Sequence, residues 1–387
     1  MSTPSARLHA WLLDHPRLAE GPHAGGVVGD TGTAAYVYPE IAGYYLTWLA
    51  FLTTTDQDQG QDRHPDTTSA VATRTAVATR TAVTTRTAVT TRTALATRTA
   101  VAREATVRWL NGELGRPDGP RTRCHLTATP EAAADWRNDA RFTFDLGMVY
   151  RGAAAAPGPG TAALLARTAG LLDAMRAPDG SWLGCRPHPG AAPLPERWST
   201  TPGPHLLKAA GGVLALAGPG HAPTVLAAAR ETLARHAPGL AARLPAMSHP
   251  GLYALEGLLQ AEAAGHREHS GELLPGYLRL AAQPNGVPRE YAGRPDSRIR
   301  SDVVAQLLRI GCVLAGRGEL DDARRAALDR LAALLADRIG PDGALPFEDG
   351  GAYGNTWCAM FAHQALAFHA RITAGRPVPD AWIRLLV

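Results

Sequence analysis

Proline followed by Asp or Asn and then Gly occurs four times in this chain, at Pro117-Asp118-Gly119, Pro178-Asp179-Gly180, Pro284-Asn285-Gly286 and Pro341-Asp342-Gly343. Each is a turn with a mechanism: Pro presets the first corner, the Asx side chain caps the backbone, and Gly accepts the unusual torsion. The Asx positions lie 61, 106 and 57 residues apart, the middle interval being about two units of 53. A period in the fifties marks a chain assembled from repeated supersecondary units.

Two helical patterns recur between the turns. Thr161 to Arg176, Pro223 to His236 and Asp321 to Arg338 are rich in Ala and Leu with charges on one side, as half-exposed helices are. Tyr44 to Leu52, Leu146 to Ala156, Leu206 to Ala217, Leu252 to Ala264, Val303 to Ala315 and Met360 to Ile372 are more uniformly apolar and small, as helices buried on several sides are. Six buried helices with amphipathic partners predict an all-α fold, an (α/α)6 toroid of six hairpins. No alternating strand pattern competes with it.

One segment stands outside this scheme. From Ala72 to Val101 a hexad of the type Ala-Thr-Arg-Thr-Ala-Val repeats five times, after a polar stretch from Thr53 to Ser69. At about 100° per residue a six-residue period spreads each position over three helix faces. The tract therefore has no apolar stripe and reads as a solvated helix or partly disordered insert, and with the polar loop that Thr53 to Ser69 predicts it interrupts a single 1–387 domain at about 53–101. It also explains the pI near 9.0 and the net charge of +4. Without its five Arg, 34 basic residues face 35 acidic ones, so the body is near neutral and nucleic acid is not an expected partner.

Cys124, Cys185, Cys312 and Cys358 lack C-x-x-C spacing and read as free thiols of a reducing compartment. No stretch approaches the roughly 20 apolar residues of a membrane helix, and no secretory leader is evident. The expectation is a cytoplasmic protein without membrane insertion; its oligomeric state is left open.

Arg176-Ala-Pro-Asp-Gly-Ser-Trp182 resembles the Q-x-x-D-G-x-W turn of squalene and hopene cyclases and, more loosely, of protein prenyltransferase subunits, with Arg176 where Gln would stand. Partial copies occur at Gln283-Pro-Asn-Gly286 and Pro341 to Phe347. The resemblance implies a terpenoid cyclase-like α/α toroid. It does not extend to the chemistry of those families: the D-x-D-D acid is absent, and Asp296, Cys312 and Cys358 do not reproduce a zinc set. The 6% aromatic content also argues against a long ring-lined cavity for carbocations. Separately, Tyr38-Pro-Glu-Ile-Ala-Gly-Tyr-Tyr45 resembles a segment of toroid proteins encoded with sugar-polymer biosynthesis genes.

In a ring of hairpins the segments leading into the inner helices converge on one mouth of the central cavity. Carbohydrate chemistry there needs carboxylates or His as acid and base, and flat rings under the sugar. Glu40, Asp145, Glu256 and Asp302 lie at or near inner-helix starts, as candidate acid–base groups or as carboxylates favoured by the helix dipole. His249-Pro-Gly-Leu-Tyr253-Ala-Leu-Glu256 resembles the P-G-H-x-x-E element of N-acylglucosamine 2-epimerases, with His before the Pro here. Tyr253 and Glu256 would share a helix face.

Arg197-Trp198 to His205 and Lys208 gathers a cation, an indole, an imidazole and the only Lys within twelve residues. His205 and Lys208, one turn apart, could face one cavity. Arg298 and Arg300 suit a carboxylate or phosphate clamp or a structural pairing with Asp296 or Asp302, Asn355 a helix cap or a sugar-facing amide, and Tyr38 and Trp357 a sugar face.

These residues predict an enzyme that hydrolyses, eliminates from or epimerises a sugar or uronate unit of a small molecule or glycan, in polysaccharide or glycosylated-metabolite biosynthesis, with no metal or cofactor. A diverged cyclase-like enzyme and a non-catalytic binding toroid are the alternatives.

Overall fold

The Pro-Asx-Gly turns work as their chemistry requires. Asp179 Oδ1 accepts from Ser181 N at 3.1 Å and Asp342 Oδ1 from Ala344 N at 3.0 Å. Gly180 and Gly343 take φ of +86° and +88°, torsions that glycine adopts at no steric cost. The computed structural model describes residues 2–14, 21–32, 35–61, 77–117, 119–218, 220–282 and 287–387. Asp118 and the whole turn at 283–286 lie outside them.

The regular structure is mostly helical. In order the helices are α1 (Pro4–Asp14), α2 (Pro39–Gln61), α3 (Val77–Leu114), the single turn α4 (Pro130–Ala133), α5 (Thr143–Ala155), α6 (Thr161–Asp173), α7 (Leu206–Ala215), α8 (Pro223–His236), the single turn α9 (Leu240–Arg243), α10 (Ser248–Ala263), α11 (Leu273–Ala281), α12 (Ser301–Gly316), α13 (Asp322–Arg338), α14 (Thr356–Thr373) and α15 (Asp380–Arg384). Two short antiparallel pairs accompany them. β1 (Tyr36–Val37) pairs with β2 (Cys124–His125), and β3 (Ala140–Phe142) with β4 (Cys185–Pro187). They are too short to carry the alternation that marks a strand in sequence.

Helices α2, α5, α7, α10, α12 and α14 contain the six uniformly apolar segments and form a closed inner ring, with α14 packed back on α2. Every residue from Leu206 to Ala215 and from Ser301 to Ala315 is buried. The backbones come close where side chains are missing. A Cβ added to Gly152 would collide with the Gly43 carbonyl, and one added to Gly211 with that of Gly257. Outer helices α3, α6, α8, α11 and α13 each pack on the inner helix before them, and α1 covers α14. The chain start thus completes the hairpin that its last long helix opens. The pattern predicted from sequence does not include α1 or α11, although both carry an apolar stripe: Leu8, Trp11 and Leu12 in α1, and Leu273, Tyr277 and Leu280 in α11.

The hexad tract, from Val77 on, is continuous with the outer helix α3. Thr97 and Arg98 are exposed, whereas Ala102, Val107, Trp109 and Leu110 just beyond are in the core. The expected polar loop from Thr53 is corrected in its first part, since α2 stays helical to Gln61, and residues 62–76 lie outside the described set.

Candidate active site

The N-terminal ends of the inner helices and the segments before them enclose a cavity of about 450 Å³. Of the candidate residues, Tyr38, Glu40, Asp145, Arg197, Trp198, His249, Tyr253, Arg300 and Trp357 line it. Each is placed by the start of an inner helix or the loop ahead of it. Inner-helix N-termini point their free N–H groups and positive dipole ends toward this mouth.

Glu40 and Asp145 lie in the first turns of α2 and α5. Both are buried, and among the described residues neither has a Lys, Arg or His within ion-pair distance. Tyr38 Oη donates to Asp145 Oδ1 at 3.2 Å. Burial pushes the Glu40 carboxyl up to about 7. Burial, and then the neighbouring Glu40 charge, lifts Asp145 well above the carboxylate range. One site therefore holds two carboxyls that cannot both ionise cheaply, the arrangement that keeps one of them protonated near neutral pH.

His249, at the start of α10, lies at the Tyr253 ring, 4.1 Å between centroids. Its Nδ1 is 2.7 Å from Gln306 Oε1 and 3.5 Å from Asp302 Oδ2. Burial lowers its pKa to about 4, with Asp302 opposing, so at neutral pH it is an uncharged imidazole. Asp302 does not line the cavity. It accepts twice from Arg300, at 3.1 and 2.6 Å, and this guanidinium holds the carboxyl below its usual range despite burial. Arg300 also reaches Glu290 at 3.3 Å and covers the Phe347 ring.

Four other candidates are also set away from the cavity. Lys208 Nζ donates to Glu256 Oε2 at 2.9 Å and to the Val387 main-chain oxygen at 3.0 Å, and Arg309 holds the other Glu256 oxygen. This corrects the expectation that Lys208 and His205 face one cavity: a fully buried ammonium needs acceptors, and among the described residues the side-chain carboxylate it contacts, Glu256, lies midway along the neighbouring helix α10. His205 is packed against Trp198, 5.0 Å between centroids, and burial lowers its pKa to about 3. Asn355 caps α14, accepting from Cys358 N at 3.0 Å.

Sequence reasoning missed Tyr36, Arg123, Trp136, Arg137, Phe144 and Phe347, which also line the cavity. Arg123 covers the Tyr36 ring at 4.3 Å and lies 3.7 Å from Asp135, which also binds Arg137 at 3.1 Å. Tyr36, Trp136, Phe144 and Phe347 belong to the lead-in segments, so their position was the available signal. Arg123 follows the first turn at a distance and carried none. In all, nine of the chain's 23 aromatic residues line this one cavity, which overturns the argument from overall aromatic content. Among the described residues, no three His, Cys, Asp or Glu side chains are grouped as a metal ion would need, and no helix is long and apolar enough to cross a membrane.

No protein-family model matches the chain, and no curated protein matches it in sequence. Solved structures do resemble it. A cellobiose 2-epimerase from Spirochaeta thermophila DSM 6192 aligns over 96% of both chains at 14% identity, with a TM-score of 0.63. An unsaturated glucuronyl hydrolase specific for heparin aligns over 96% of both at 9% identity and 0.58. The type II terpene cyclase MstE from Scytonema aligns over 96% of this chain and 98% of its own at 12% identity and 0.51. At these identities the likeness shows the fold, and the fold is an α/α toroid.

Proposed function

We propose that the protein is an enzyme acting on a sugar or uronate unit by acid–base chemistry at the mouth of the ring. The observation that carries this reading is the Glu40–Asp145 pair, buried without a cation in contact, in the same cavity as the neutral imidazole of His249. A protonated carboxyl can give a proton to a leaving or ring oxygen, and a neutral imidazole or the second, ionised carboxyl can take one from carbon or water. Trp198, Trp357 and Tyr253 supply flat apolar faces for a pyranose ring. Arg123, Arg137 and Arg197 make the rim cationic, which suits a carboxylate-bearing sugar. The toroid shared with a cellobiose 2-epimerase and a glucuronyl hydrolase supports the same reading. The test is turnover of a panel of uronosides, unsaturated uronides and nucleotide sugars in deuterated water. Deuterium at the inverted carbon of an epimeric product indicates epimerisation, a newly formed unsaturated uronide indicates elimination, and loss of an unsaturated uronide with release of its aglycone indicates hydrolysis. No turnover across the panel would sink the proposal.

A second reading rests on a separate observation, the nine rings around a protonated carboxyl. Rings stabilise carbocations, and the terpene cyclase MstE shares the toroid. On this reading Asp145 would protonate a polyprenyl chain, and a cyclised product from a linear prenyl substrate would distinguish it.

A further inference from the structure

A buried polar chain runs from His249 at the cavity into the body of the ring. Gln306, on α12, is fully buried. Its Nε2 lies 3.2 Å from Glu256 Oε2, and its Oε1 lies 2.7 Å from His249 Nδ1. Glu256 is held ionised by Arg309 and Lys208, which outweigh its burial. An ionised carboxylate can only accept, so the Gln306 atom facing it has to be the amide nitrogen, and the carbonyl oxygen has to face His249. That oxygen can only accept as well. The second group near Nδ1, Asp302 Oδ2 at 3.5 Å, is another acceptor, held ionised by Arg300. Nδ1 thus meets acceptors alone, and a neutral imidazole meets that demand in one form: hydrogen on Nδ1 and a lone pair on Nε2.

We infer that Gln306 is a positioning residue that transmits the orientation of the Lys208–Glu256–Arg309 cluster to His249 and fixes it as the Nδ1–H tautomer, a base whose free nitrogen is Nε2. This gives the buried ion cluster a bearing on the site that burial alone does not suggest. The value of a fixed tautomer to catalysis rests on the function proposed above; the tautomer itself does not.

The experiment is long-range proton–nitrogen correlation NMR on the full chain labelled with 15N-histidine at pH 7, with the His249 signals assigned from their loss in His249→Asn. The wild-type ring is expected to show a protonated Nδ1 and an unprotonated Nε2. Gln306→Met keeps the length but removes both the amide donor and its oxygen, and is expected to give a mixture of the two tautomers. Gln306→Glu keeps an acceptor oxygen toward Nδ1, whether ionised or protonated toward Glu256, and is expected to keep the Nδ1–H ring. A wild-type ring protonated on Nε2 overturns the inference. So does an unchanged Nδ1–H ring in Gln306→Met, which would make Asp302 the determinant. If Gln306→Met does not fold, a ring protonated on Nε2 in Gln306→Glu overturns it instead. All of these outcomes are read without substrate, so they are separable from failure to find turnover.

Discussion

Midway along α10, Glu256 is held by Lys208, Arg309 and Gln306, whereas at the mouth of the ring Glu40 and Asp145 lie among rings with no cation in contact. All three carboxyls are buried, and all pay for desolvation. Charge compensation separates them: Glu256 stays below its ordinary pKa, while Glu40 and Asp145 rise. A compensated carboxylate holds structure. An uncompensated one keeps its proton into the neutral range and is available to move it. Two regions with similar residue types and similar burial therefore have different consequences, and the difference can be broken from either side.

The largest effect is expected at the mouth. Glu40→Gln and Asp145→Asn should each reduce turnover of whichever panel substrate reacts by about 10²–10⁴-fold, the usual contribution of a positioned acid or base, with the fold intact by circular dichroism. Normal turnover in both would show that the pair is not the proton-transfer group. At the centre the loss should be of stability. Glu256→Leu leaves Lys208 and Arg309 buried without their carboxylate, and breaking such a pair costs about 3–5 kcal/mol, measured as a shift of the denaturant midpoint. A shift near zero would mean that the C-terminal main-chain oxygens near Lys208 and Arg151 compensate the cations by themselves.

How much of this contrast the sequence shows depends on the kind of order involved. The ring was legible because an inner helix must be apolar on several sides, and Leu206 to Ala217 or Val303 to Ala315 cannot be read otherwise. The mouth was partly legible, since turn placement says which helix ends converge, and that brought Glu40, Asp145, Trp198 and His249 together. The central cluster was not. Lys208, Glu256 and Arg309 are about 50 residues apart, and nothing local reveals that a Lys in an apolar helix faces a Glu in another. Glu256 and Glu40 look alike in sequence because partner distance, and not residue type, sets the role. Likewise the hexad tract, read by its own period, gives no sign that it runs on into the buried half of α3.

The pH dependence of stability sharpens the comparison with a smaller effect. Folded Glu40 titrates at about 7 against an ordinary 4.5. Between these values the folded chain keeps a proton that the unfolded chain releases, so the contribution of Glu40 is lost as pH rises through about 7. At roughly 1.4 kcal/mol per pH unit the loss is on the order of 3–4 kcal/mol by pH 8. Glu40→Gln should remove that slope and be more stable than wild type at pH 8, with little difference at pH 4. Thermal melts across this range check it, and equal slopes in the two proteins would place Glu40 in a solvated position.

The smallest effect concerns the rim. Arg123 and Arg137 share Asp135, and Arg300 is held by Asp302 and Glu290. Arg197 is exposed, and among the described residues its guanidinium has no carboxylate within ion-pair distance. It is the rim cation whose charge the protein has not already used. If the substrate carries a carboxylate, Arg197 meets it in ground state and transition state alike, and such uniform binding appears in KM and not in kcat. Arg197→Gln should therefore raise KM for a uronate about fivefold, the scale of a solvent-exposed ion pair. It should leave kcat within twofold and KM for the matching neutral sugar unchanged. The increase should also shrink in high salt, because screening weakens exposed pairs. An equal increase for the neutral sugar would mean that Arg197 stacks on the ring or shapes the loop, and the cationic rim would then say nothing about substrate charge.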